Sequence, residues 1–119
     1  MAPLETAISE LRQMLGADSS APDWRWQVRR SLSETKEALS GPKARQADAW
    51  LAPRVRTSNR DRRQLKARVT VLAAGVLDKL DTESITVELR RLVGDLEHYV
   101  QRLHDLVYDS VSLELGGSE

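Results

Sequence analysis

Two histidines, His98 and His104, are the residues best placed by type for acid–base or metal chemistry near neutral pH. Six residues apart on a helix, they differ by ~120° around its axis and share no face. A di-metal site inside a helical bundle takes Glu-x-x-His from two helices and further glutamates from the others. Here Asp95-x-x-His98 falls on a stripe shared with Arg91, Arg102 and Asp109, and the chain has no third histidine. That stripe reads as solvated, with His98 pairing to Asp95 or Asp105, and no metal is expected. The absence of cysteine excludes thiolate metal sites, disulfides and cysteine nucleophiles. No Gly-x-Ser-x-Gly elbow, P-loop or dinucleotide-type glycine pattern occurs. The carboxylates fall on faces that read as wet, so none is set up as a general acid. Neither an enzyme nor a cofactor is expected.

One short stretch, His104-Asp105-Leu106-Val107-Tyr108, is similar to the His-x-Leu-Lys-Gly motif of histidine phosphotransfer domains at the histidine and the leucine alone. The lysine that would hold the phosphate is missing, a tyrosine fills the space a glycine would clear, and Asp105 would repel a phosphoryl group. The likeness therefore implies no phosphotransfer.

Binding is better represented than catalysis. Residues 43–68 hold nine basic groups against two acidic, whereas residues 78–119 hold four basic against ten acidic. The formal net charge of zero thus hides a divided chain. Arg56, Arg60, Arg62 and Arg63 form a candidate surface for an anionic partner, because a guanidinium binds phosphate or carboxylate through two parallel hydrogen bonds. Internal pairing competes with that reading, with Asp105, Asp109 and Glu114 as the acidic partners. Trp24-Arg25-Trp26-Gln27-Val28-Arg29-Arg30 places Trp24 on an apolar stripe and Trp26 about 200° away. Trp26 is a candidate protein contact, unless an arginine or a loop covers it. Finally, residues 69–77 carry no charge, and Ala67, Val71 and Ala74 form a second apolar strip opposite the main one. Either the segment around Trp50 folds over that strip or another protein does.

These residues are positioned by helices. Leu4, Ala7, Ile8, Leu11, Met14 and Leu15 repeat with helical spacing between Pro3, which suits a first turn, and Gly16, which suits an end. A second helix starts near Pro22 under a Ser20 cap and stops at Ser40-Gly41-Pro42. A short extra helix is expected over residues 43–52, ended by Pro53. Ser58 caps the next helix, whose stripe of Leu65, Val69, Leu72, Ala73, Val76 and Leu80 ends near Leu80. Asp81-Thr82-Glu83 turns the chain and caps a long last helix with Ile85, Leu89, Leu92, Leu96, Tyr99, Leu103 and Leu106 inward.

The composition, 40% apolar and 30% charged over 119 residues, suits a single helical domain. The expectation is an all-α, antiparallel up-and-down four-helix bundle with a short extra helix, spanning residues 1–115 and followed by a flexible tail over 116–119. The longest uninterrupted apolar run, Val71 to Leu77, is far short of the ~20 residues that span a bilayer. The N-terminus lacks the pattern of a secretory signal, which points to the cytoplasm. The function expected is a small interaction or regulatory protein acting through self-association or another protein. The alternative is a nucleic-acid-associated regulator using the Arg-rich segment 54–68.

Overall fold

The computed structural model describes residues 3–40, 52–77 and 80–116, with side chains described over 3–40, 56–77 and 80–106. Four helices account for them: α1 (Pro3–Gly16), α2 (Trp24–Leu39), α3 (Ala52–Val76) and α4 (Thr82–Gly116). No strand occurs among the described residues. The expected short helix over 43–52 lies outside them, apart from Ala52, which opens α3.

Local chemistry explains most boundaries, and corrects several. α1 runs from Pro3 to Gly16 as its sequence dictates. Ser20 does not cap α2. The Asp18 carboxylate accepts hydrogen bonds from the Ser20 backbone N–H at 3.0 Å and its hydroxyl at 2.6 Å, closing a turn of its own. Asp23 stands at the cap position, and its carboxylate accepts a bond from the Gln27 side chain rather than from a backbone N–H. α3 begins at Ala52 and carries Pro53 in its first turn, where a missing N–H costs nothing. Pro53 therefore stands inside the first turn of a helix, and Ser58 lies within α3, hydrogen-bonded to Tyr99. α3 stops at Val76, short of Leu80. The Leu80 N–H instead donates to the Gly75 carbonyl at 3.0 Å. Its side chain lies over Gly75 so closely that a Cβ there would stand 2.9 Å from Leu80 Cδ1. Asp81 caps α4 as expected, accepting from the Ser84 N–H at 2.7 Å.

Each helix turns its apolar stripe inward. Ile8 and Leu11, Trp24, Val28 and Leu32, Leu65, Val69 and Val76, and Ile85, Leu89 and Leu96 form one core, joined by Tyr99. α2 packs against α1 and α3, and α4 packs against α3 and α1. The Trp24 indole N–H donates to the Met14 carbonyl at 3.1 Å, fastening the start of α2 to the end of α1. α4 has 35 residues, about 52 Å at 1.5 Å per residue, so it runs most of the 60 Å long dimension of the molecule. Cross-links between helices pair late residues with early ones. His104 meets Glu5 and Glu97 meets Arg12, while Asp61 meets Arg102 and Arg68 meets Asp95.

Candidate partner interface

At 100° per residue, a helix that buries Leu65, Val69, Leu72 and Val76 must carry Arg56, Arg60, Arg63, Ala67, Val71 and Ala74 on its far side. α3 does so, and all six are exposed. Val71 is 73% exposed. Among the described residues nothing covers the apolar strip of Ala67, Val71 and Ala74, and three arginines continue the same face toward the start of the helix; the segment around Trp50, expected as one possible cover, lies outside the described residues. Thr70 borders it, its hydroxyl turned back onto the Lys66 carbonyl at 3.0 Å.

The four expected arginines do not act as one surface. Arg56, Arg60 and Arg63 are exposed and, among the described residues, none has a carboxylate within 4.0 Å. Arg62 is half-buried and sits at the edge of the core, close enough to Tyr99 to favour its phenolate. Burial outweighs that influence and holds the Tyr99 hydroxyl above its ordinary pKa. The reason is angular: Arg62 lies only about 60° from Leu65, whereas Arg60 and Arg63 point away from it.

Internal pairing does occur between α3 and α4, through other residues than expected. Arg68 donates to Asp95 at 2.6 Å, and Arg102 lies 3.3 Å from Asp61. Asp105 accepts from Gln101 instead, and the side chains of Asp109 and Glu114 lie outside the described residues. Such exposed pairs contribute only ~0–1 kcal/mol each. They line a groove of about 170 Å³ between α3 and α4, together with Gln64 and His98. His98 stands beside Asp95 there, but Asp95 is held by Arg68. A second groove of about 350 Å³, between α1 and α4, is lined by Glu5, Arg12, Glu97 and His104. His104 Nε2 is 3.2 Å from Glu5 Oε1, a pairing that no local spacing announces. The two histidines thus face different grooves, and among the described residues no three His, Asp or Glu side chains gather as a metal would require.

Trp24 and Trp26 divide as their spacing dictates. Trp24 is buried, and Trp26 is 62% exposed on the outer face of α2. At that exposure it is not enclosed by any of the described residues. Arg29 is exposed, and Arg30 lies 3.6 Å from Glu34. Trp26 and the α3 strip belong to different helices.

No family model matches this chain. No curated protein and no solved structure matches it either. The reading of the surface therefore rests on its own geometry. Among the described residues no helix is long and apolar enough to cross a membrane.

Sequence reasoning missed Arg25. It is half-buried, and one guanidinium nitrogen donates to the carbonyls of Val76 at 2.6 Å and Leu80 at 2.7 Å. The other lies 3.4 Å from the Thr82 hydroxyl. Arg25 thus closes the end of α3 and its turn into α4, with its charge at the negative end of the helix dipole. Its type and its place on α2, one residue from the core Trp24, are the only signals the sequence carries.

Proposed function

We propose that the chain is a small cytoplasmic, non-enzymatic interaction protein that acts through protein–protein contacts and self-associates as a homodimer. Its body over residues 1–115 is an up-and-down antiparallel bundle, a reading supported by the late-to-early pairing of Glu5 with His104 and of Asp61 with Arg102. The observation that carries the function is Val71, 73% exposed between exposed Ala67 and Ala74. Fully burying a valine is worth about 1.5–3 kcal/mol, and two copies meeting on this face would bury two. Small residues on either side let a second backbone approach closely.

A second reading has one observation in its favour. Arg56, Arg60 and Arg63 share the outer face of α3 without carboxylate partners among the described residues, as phosphate-binding residues of segment 54–68 would. Salt separates the two: phosphate contacts weaken steeply as salt rises, while apolar contact responds little.

Two differently tagged copies expressed together provide the test. One tag should retain the other copy after nuclease treatment and in high salt, and Val71→Glu in both copies should abolish retention. Retention lost to nuclease or to salt alone would favour the nucleic-acid reading, and no retention under any condition would remove the homodimer.

A further inference from the structure

Arg56, Arg60 and Arg63 recur at i, i+4 and i+7, so they fall within ~60° of one another and form one row about 10 Å long on the outer face of α3. All three are exposed, and among the described residues none has a carboxylate within 4.0 Å. Acids on α3 and α4 are engaged elsewhere: Asp61 with Arg102, Asp95 with Arg68 and Asp105 with Gln101. The row thus keeps like charges one turn apart, an arrangement that costs a helix stability and that an outside polyanion would relieve. It also carries little besides charge. The large exposed apolar side chains among the described residues are Trp26, Val71, Leu77 and Val87. Of these, Val71 comes first along α3, eight residues past Arg63, or ~12 Å.

Resting on the nucleic-acid reading above, the geometry points to the sugar–phosphate backbone of duplex DNA as the ligand of this row, held through up to three phosphates without regard to base sequence. A protein partner draws its binding energy from buried aromatic and aliphatic anchors, and the row offers none. A single strand binds by stacking its bases on aromatic side chains, which the row also lacks. What it does offer is three permanently charged guanidinia, each shaped to grip phosphate through two hydrogen bonds. Duplex DNA carries one negative charge per ~1.7 Å of its axis, so a row of this length spans more phosphates than it has guanidinia. The major groove of DNA is wide enough to admit an α-helix, so the outer face of α3 can follow its phosphate edge. That of duplex RNA is too deep and narrow.

Fluorescence anisotropy of labelled duplexes of about 20 base pairs, titrated with the protein at several salt concentrations, tests this. Three phosphate contacts predict that log affinity falls against log salt with a slope of about −2.7, so a fourfold rise in salt should weaken binding about fortyfold. Arg56→Gln, Arg60→Gln and Arg63→Gln should each flatten the slope by ~0.9, and the triple variant should bring it near zero. All three side chains are exposed, so these variants should melt no lower than the wild type, which thermal denaturation checks. Arg29→Gln, which removes an exposed arginine of α2, should leave the slope as it is. Two duplexes of unrelated sequence should bind alike. An oligothymidine strand or a duplex RNA that binds as tightly as duplex DNA would overturn this ligand while leaving the nucleic-acid reading standing. So would a slope that the three arginine variants leave unchanged. An acidic polypeptide that displaces the duplex at equal charge would give the row to a carboxylate partner instead. No binding to any nucleic acid, even at low salt, would remove that reading and this ligand together.

Discussion

Arg25 closes a helix that lies 51 residues further along the chain. Its partners are backbone carbonyls of Val76 and Leu80, the groups a helix end leaves without intrahelical donors. Removing the side chain leaves both carbonyls half-enclosed and takes a positive charge from the dipole's negative end. Arg25→Ala is expected to cost about 1–3 kcal/mol and to lower the melting temperature by roughly 5 °C or more. Arg25→Lys should recover part of it, since an ammonium keeps the charge but not the planar fork. Differential scanning calorimetry of the three chains checks this. An Arg25→Ala chain that melts with the wild type would show the contact to be idle. Nothing periodic in the sequence could reveal such a residue, because hydropathy spacing reports the face a side chain occupies and not a distant carbonyl. Arg62 marks the opposite case. Its run with Arg60 and Arg63 suggests one surface, but the 100° step between neighbours sends it toward Tyr99.

Helix boundaries were legible where terminating chemistry is local. Pro3, Gly16, Ser40 and Asp81 each stand where their own backbone or side-chain preference puts them. The start of α3 was not, because a proline is compatible both with ending one helix and with the first turn of another. Two contacts make the elements respond to pH in opposite senses. Glu10 of α1 hydrogen-bonds to Glu34 of α2, and this contact, with burial and the repulsion of the second carboxylate, raises the Glu10 pKa. The folded chain then holds a proton that the unfolded chain releases, so this contact loses stability as pH rises through the window between the unfolded and folded values. Asp81 is the reverse: its carboxyl is held low by the bonds from Ser84, and its contribution is lost as pH falls. Glu10→Gln should therefore raise the melting temperature at neutral pH, with the gain shrinking to nothing in acid, where Glu10 itself is protonated. Thermal melts of both chains across pH test this. A gain that is constant with pH would show that the Glu10–Glu34 contact carries no proton.

At the scale of the whole molecule, the all-α class and the inward stripes followed from period alone, since residues such as Leu65, Val69, Leu89 and Leu96 have one consistent way to be buried together. The divided charge was equally visible, but its use was not. The α3–α4 pairs employ Asp61 and Asp95, one acid from each helix, rather than a basic helix laid on an acidic one. That leaves Arg56, Arg60 and Arg63 outward, in line with the bare strip around Val71. The sequence showed that this strip needed a cover, and the described residues leave Val71 73% exposed. The most direct test is the solution mass of the wild type and of Val71→Glu by sedimentation equilibrium, with a melting curve for each. The wild type should sediment at twice the 13.4 kDa chain mass. Val71→Glu should sediment at the chain mass and, under dilute conditions where both chains are monomeric, melt with the wild type. Identical masses for the two proteins would contradict an interface at Val71.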